Sequence, residues 1–360
     1  MRFTIKREEF LKALNIASRA VGSKVALAIL TNFKIDLDER GLNITGSNFE
    51  ITIKTFLPYS QGEKEIIRNY KEGSTLLNAK ILTEIVRKME SEEISLDVID
   101  STIATISDNN SEYRLNCIRS EDYPPLDLEP EGTNLKLSRA EFENIVSQTA
   151  FAASVKEQRP ILTAMNLEAG NGTLTVTTTD SARMARKQVA IPQDVYFVSN
   201  VPAKMMVEVS HLIEGSESID IAFSDKKALF SFDNTVIATR LIAGDYPNTK
   251  NIVPKVTNYY LEVNASSLTK AIDRANILSL DRENVVDLTM SENGVEISAK
   301  SSQMGSAVER IDLFKYEGPS LKVSFNNKRT LITIFIISGR CTDPNTFFLT
   351  LFHKFISMRF

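Results

Sequence analysis

Basic residues stand seven or four positions apart on several amphipathic segments: Lys12 with Arg19, Lys80 with Arg87, Lys204 with His211, and Lys270 with Arg274. On a helix such spacings return to one face, so each pair projects to the same side. Charge of one sign, repeated on several elements of an acidic protein, points to convergence on something anionic. The chain as a whole is acidic, with a net charge of −4, so it is no simple cationic nucleic-acid binder.

The patterns that catalysis requires do not occur. No glycine-rich loop precedes a Lys-Ser/Thr pair, so ATP binding has no support. His211 and His353 are the two histidines, and neither has Cys or carboxylates around it at metal-ligand spacing. A Ser–His–Asp triad would have to use one of them, and no nucleophile-elbow glycine pattern is present. Glu92-Glu93 and Glu121-Asp122 fall in polar, turn-like runs and read as surface acids. The expectation is a binding protein with no catalytic residue, no metal and no cofactor.

The cations must be carried by helices whose other faces are apolar. Helical spacing predicts a segment over 8–20 that buries Phe10, Leu14, Ala17 and Val21, and a second over 78–89 that buries Leu82, Ile85, Val86 and Met89. Segments over 141–153 (Phe142, Ile145, Val146, Thr149), 202–213 (Met205, Val209, Leu212) and 266–279 (Leu268, Ala271, Ile272, Ala275) follow the same rule. Ile277 falls on the outer side of the last one, where an apolar residue needs a partner.

Between the helices lie strands, and the pattern repeats. Residues 161–167 alternate closely enough for a half-buried strand; Asn171-Gly172 suits a tight hairpin, and Leu174, Val176 and Thr178 share one face of the return. A loop carrying Arg183 and Met184 follows. Shifting back by 132 positions places Ile29-Leu30-Thr31 under Ile161-Leu162-Thr163, and Leu42-Asn43-Ile44-Thr45 under Leu174-Thr175-Val176-Thr177. A third copy runs from Val286 through Asn293-Gly294 to Ser298. The preceding segments match too: Phe3–Phe10, Leu135–Phe142 and Leu261–Leu268. Asp122-Tyr123-Pro124 and Asp245-Tyr246-Pro247 close the first two copies as linkers.

One α+β fold with antiparallel sheet is therefore written three times, as domains over 1–126, 127–253 and 254–360. With 42% apolar and 24% charged residues the composition is that of a globular protein. Two cysteines, Cys117 and Cys341, suit a reducing cytosol. A charged N-terminus without a hydrophobic h-region, and no long apolar run, predict a cytoplasmic protein without a membrane span.

The triplication, the motif Thr179-Asp180-Ser181-Ala182-Arg183-Met184 and the Asp-Tyr-Pro linkers together resemble the β subunit of bacterial DNA polymerase III, the DNA sliding clamp family. The likeness runs from Met1 to about Asn327. It implies a head-to-tail homodimer, a ring with helices inside and sheets outside, of which this chain forms half. Lys12, Arg19, Lys80, Arg87, Lys204, Lys270 and Arg274 would then meet the phosphates of sequence-independent double-stranded DNA, and Lys24 and Lys156 match further DNA-contacting positions. The family's partner pocket takes short motifs from the replicative polymerase, the clamp loader and other clamp-motif proteins. Its matching positions are Arg159, Leu162, Thr179, Ser181, Arg183, Met184, Pro247 and Ile252; Ala182 and Asn251 depart from the family's usual residues there. Tyr113, Ile277 and Leu278 match the dimer interface.

After Asn327 the likeness stops. Residues 328–360 hold one acid, Asp343, against Lys328, Arg329, Arg340, Lys354 and Arg359, are rich in Phe and Ile, and show neither helical spacing nor clean alternation. Such an ending fits an out-of-frame or altered reading of the gene's end, and predicts a third domain lacking part of its sheet. Alternatives to the clamp reading are a clamp-like paralogue or altered product impaired in ring closure, and a DNA-processing enzyme carrying clamp-like domains.

Overall fold

The three copies fold into corresponding elements in a computed structural model that describes residues 1–22, 27–181, 183–249, 259–279, 285–326 and 346–351. The first copy is β1 (Arg2–Lys6), α1 (Arg7–Ser18), β2 (Asn32–Asp38), β3 (Gly41–Ser47), β4 (Ile51–Pro58), a small hairpin of β5 (Ser60–Gln61) and β6 (Lys64–Glu65), β7 (Ile67–Lys71), β8 (Gly73–Asn78), α2 (Ala79–Lys88), β9 (Glu93–Ile99), β10 (Ile103–Ser107) and β11 (Glu112–Asn116). The second is β12 (Thr133–Ser138), α3 (Arg139–Thr149), β13 (Ala164–Gly170), β14 (Thr173–Thr179), β15 (Met184–Ala190), β16 (Phe197–Pro202), α4 (Ala203–Leu212), β17 (Ser218–Phe223), β18 (Lys227–Phe232) and β19 (Thr235–Arg240). The third is β20 (Tyr259–Asn264), α5 (Ala265–Asn276), β21 (Val285–Ser291), β22 (Gly294–Ser301), β23 (Gly305–Ile311), β24 (Phe314–Glu317), β25 (Leu321–Asn326) and β26 (Thr346–Leu351).

Local chemistry explains where these elements begin. Phe10, Ala13, Leu14 and Ala17 are buried along one stripe of α1, while Glu8 and Glu9 place negative charge in its first turn. Asn78 and Asn264 cap α2 and α5 by accepting the backbone N–H of Ile81 and Ser267, each at 3.0 Å. Ahead of α3, Ser138 and Glu141 form a capping box: the Ser138 N–H donates to Glu141 Oε2 at 2.9 Å, and the Glu141 N–H donates back to Ser138 Oγ at 3.3 Å. Asn171 and Gly172 both take positive φ, +52° and +69°, which is what the tight hairpin between β13 and β14 requires.

The expected strand over 161–167 is corrected at its start. Pro160–Thr163 is a 3-10 turn, with Pro160 at its first position, and the strand begins at Ala164. The same turn recurs at Ala28–Thr31 before β2. Short apolar runs do not distinguish a strand from a tight helical turn by alternation alone, so the repeat was right and the element type was not. Among predicted helix-core residues, Val21, Ile85 and Leu212 are only half-buried, Val21 lying past the end of α1, and Met206 takes an inner place on α4.

The chain divides into two compact units: Met1–Val146 with Lys156–Val176 and Gln188–Gly244, and Ser147–Val155 with Thr177–Lys187 and Asp245–Phe360. In the first unit, a five-stranded sheet has the order β11-β10-β9-β1-β7, and an eight-stranded sheet has the order β12-β17-β18-β19-β4-β3-β2-β8. That second sheet joins two copies of the fold, through antiparallel pairing of β19 with β4 from Thr235↔Thr55 to Thr239↔Ile51. Helix α1 lies so close to β3 that a Cβ on Gly46 would sit 2.4 Å from the Ala17 carbonyl oxygen. At the equivalent place 132 residues on, in the second unit, the Thr178 hydroxyl donates to the Thr149 carbonyl at 2.5 Å. One copy meets the close approach with a missing side chain, the other with a hydrogen bond.

The third copy repeats pairings of the first, and part of the tail is a strand of it. Its β21 and β25 pair as β2 and β8 do in the first, and β24 lies against β20 as β7 lies against β1. Strand β26 then pairs antiparallel with β20 over six positions, Tyr259↔Leu351 to Asn264↔Thr346. This is the place that β9 fills beside β1 and β17 fills beside β12. The tail therefore supplies the strand that the fold needs beside its first strand. Among the described residues the resulting sheet has three strands, β24-β20-β26, against five in the first copy.

Candidate nucleic-acid interface

Three helices of the first unit adjoin in a row. Helix α1 meets α2 where Arg87 Nη2 donates to Asn15 Oδ1 at 3.3 Å, and meets α4 where Arg19 Nη1 lies 3.2 Å from Glu208 Oε1. Each helix turns its apolar stripe inward: Leu82 and Val86 on α2, Phe10 and Leu14 on α1, Met205 and Val209 on α4. The predicted cations stay at the surface, with Lys12, Arg19 and Arg87 about half-exposed and Lys80 and Lys204 exposed. In the second unit, α5 buries Leu268, Ala271, Ile272 and Ala275 and leaves Lys270 and Arg274 exposed. Lys156 is exposed; Lys24 lies outside the described residues.

Four of these seven helix cations have carboxylate partners that helical spacing only partly announced. Lys12 Nζ stands 3.8 Å from Glu9 and 4.0 Å from Glu8, and Arg87 pairs with Glu84 one turn before it. Those contacts are legible as i,i+3 and i,i+4 neighbours. The Arg19–Glu208 pair and the bidentate grip of Arg274 on Glu309 of β23, at 3.0 and 2.6 Å, join residues far apart in sequence. The Arg274 hydrogen bonds hold the Glu309 carboxyl below its ordinary range and raise the guanidinium in turn. Lys80, Lys204 and Lys270 have no acid within ion-pair distance among the described residues.

The residues proposed for partner peptides belong to both units. In the second unit, Thr179, Ser181 and Arg183 build one tight loop. Thr179 Oγ1 donates to the Arg183 carbonyl at 2.6 Å and accepts the Ser181 N–H at 3.1 Å, and the Arg183 side chain donates to Asp180 at 3.0 Å. Ser181 takes φ of +76°, a left-handed conformation that the surrounding bonds stabilise. The Arg183 guanidinium lies 5.6 Å over the Phe151 ring, and Met184, half-buried, opens β15. Pro247 is exposed in the same unit. In the first unit, Leu162 is buried in its 3-10 turn and Arg159 is exposed just before it. Ile252 and Asn251 lie outside the described residues, as does Ala182.

The linker tyrosines also take equivalent places. Tyr123 is buried with Leu30 and Leu76, and Tyr246 accepts the Thr179 N–H at 2.9 Å through its hydroxyl. Burial pushes both phenols up to about 12. The fold thus favours the neutral phenol: its contribution is whole below the unfolded value near 10 and is lost as pH rises through 12. About 2 kcal/mol per tyrosine is expected to disappear over that window. Denaturant midpoints measured on both sides of it check this, and Tyr123→Phe should remove one share of the pH dependence.

At the predicted joint, Tyr113 lies on the edge strand β11, 40% exposed, and Ile277 after α5 is 68% exposed, with Leu278 half-buried. Among the described residues no group of three His, Cys, Asp or Glu side chains is placed to hold a metal ion, and no helix is long and apolar enough to cross a membrane.

Models of all three domains of the DNA polymerase III β subunit match the chain in order: the N-terminal domain over 1–127, the central over 136–248 and the C-terminal over 250–334. The chain belongs to that family. Its relatives include the Beta sliding clamp of Halalkalibacterium halodurans, 35% identical over 346 residues that cover 94% of this chain and 91% of that one. The Beta sliding clamp of Bacillus subtilis is 32% identical over 344 residues, with 94% and 91% covered. The crystal structure of the Bacillus subtilis DNA polymerase sliding clamp superposes with a TM-score of 0.90 at 30% identity, covering 97% of this chain and 92% of that one. The sliding-clamp family is an accessory, non-catalytic one, and this chain's three tandem α+β domains are those of the clamp fold. The family likeness also reaches past Asn327, since the C-terminal model extends to residue 334.

Proposed function

We propose that this protein encloses duplex DNA as a head-to-tail homodimeric ring in the cytoplasm and tethers the replicative polymerase for processive synthesis. The observation that carries the reading is the row α2–α1–α4, whose apolar stripes face the sheets while Lys12, Arg19, Lys80, Arg87 and Lys204 remain at the surface of an acidic protein. Phosphate attraction carries no base information, so such a surface holds DNA while letting it slide. Lys24, Lys156, Lys270 and Arg274 complete the set of phosphate contacts. Tyr113, Ile277 and Leu278 belong to the joint between protomers, where exposed apolar side chains gain a covering. Arg159, Leu162, Thr179, Ser181, Arg183, Met184, Pro247 and Ile252 receive short motifs from polymerase, clamp loader and other partners, with adaptable Met184 suited to several ligands. The domains divide at 1–126, 127–253 and 254–360.

A second reading, a clamp weakened in ring closure, is favoured by the β24-β20-β26 sheet of the third copy, which has three strands among the described residues. A ring needs both joints, and one poor joint leaves an open assembly. Loading onto nicked circular DNA followed by linearisation tests the proposal. Retention on circles and rapid loss from free ends is the expected result. Equal retention on both forms would overturn encirclement, and a chain that sediments as a monomer and never stays on circles supports the weakened clamp.

A further inference from the structure

We propose that Glu208 and Glu309 attenuate the grip on DNA, by standing as permanent counterions to Arg19 and Arg274 on the face that meets phosphate. The inference rests on the clamp reading and names how the strength of that face is set. In both pairs the acid lies deeper than its arginine: Glu208 is 26% exposed against 55% for Arg19, and Glu309 is 24% exposed against 55% for Arg274. The carboxylates come from outside the arginines' own helices, Glu208 from α4 and Glu309 from strand β23. Tertiary folding therefore delivers each acid beneath a cation that the helical pattern alone would leave free.

The arrangement leaves outer N–H donors of each guanidinium open to phosphate while cancelling much of its net charge. A phosphate that approaches Arg19 or Arg274 meets the attraction of the guanidinium and, just behind it, the repulsion of a carboxylate. Counterion release per contact falls accordingly, because a cation already paired within the protein holds fewer phosphates. Lys12 and Arg87 are tempered in a simpler way, by acids on their own helices. Lys80, Lys204 and Lys270 then supply the undiminished charge. Weak contacts beside strong ones flatten the energy differences between successive positions on DNA, which is what a ring that must move along the duplex requires.

The test uses the full chain, a short fluorescent duplex and a series of salt concentrations. Glu208→Gln and Glu309→Gln keep the shape and an acceptor oxygen but remove the charge. Each is expected to raise affinity about two- to fivefold at low salt, the range that a partly exposed ion pair commands. Each should also steepen the dependence of log affinity on log salt by up to about 0.9. Asp220→Asn is the control, because Asp220 pairs with Lys136 across the sheet at 3.6 Å. No gain in the two glutamine variants overturns the inference, as does a loss of affinity, which would make the acids positioning groups. An equal gain from Asp220→Asn overturns it too, leaving net charge as the cause. Parent protein that shows no salt-dependent duplex binding removes the clamp reading and this inference together, whereas a binding parent with unmoved variants removes this inference alone.

Discussion

Replacing Lys80, Lys204 and Lys270 together by glutamine is expected to weaken duplex binding by roughly 500-fold per chain at about 0.1 M salt. The three are exposed and, among the described residues, have no carboxylate at ion-pair distance, so their charge is fully available to phosphate. Each phosphate neutralised releases close to one condensed cation, which at that salt is worth about eightfold. The slope of log affinity against log salt should flatten by about 2.7, and the effect should be the same for every DNA sequence. The same triple change at paired cations, Lys12, Arg87 and Arg274, should cost less, because each already shares its charge with Glu8 and Glu9, Glu84 or Glu309. Equal losses in the two triples would show that exposure alone, and not freedom from counterions, sets the strength of the face.

Phe10→Ala is expected to cost roughly 3–5 kcal/mol of stability in the first unit. The ring has no exposed surface, meets Phe3 edge-to-face at 5.9 Å between centroids, and lies in the cluster that holds Leu14, Phe33, Ile44 and Leu82. Truncation removes the apolar contact and leaves a cavity between α1 and its sheet, which a close-packed interior fills only in part. A domain commands only about 5–15 kcal/mol in all, so the change should approach the limit of folding. Because β19 and β4 join two copies in one eight-stranded sheet, the second copy should lose stability in the same transition. Urea unfolding followed by hydrogen exchange at β12 and β17 measures this. A cost below about 1 kcal/mol would show that the α1 stripe is not the core of the first copy.

Much of the architecture was written locally. The triplication was legible because the turn and strand residues recur at a fixed offset, from Ile29-Leu30-Thr31 to Ile161-Leu162-Thr163, and each recurrence folds the same way. The helix faces were legible because burial follows a short period; Phe10, Leu14 and Ala17 are buried on α1 as their spacing requires. The type of the short apolar turn at Pro160–Thr163 was not, since four residues carry too little period to separate strand from 3-10 turn. The strand in the tail was not legible for a related reason. A strand such as β26 is specified by the open edge of β20 that receives it, and its own residues show no clean alternation.

By itself the sequence determined the module, its threefold recurrence, the apolar stripes and the positions of the cations, because all of these depend on neighbours within one turn or one hairpin. Only the tertiary structure decided which cations keep their charge. Arg19 and Glu208 are 189 positions apart, and Arg274 and Glu309 are 35 apart, yet each pair closes to ion-pair distance. Electrostatic interaction depends on separation in space, and no local period encodes that once the chain has turned back on itself.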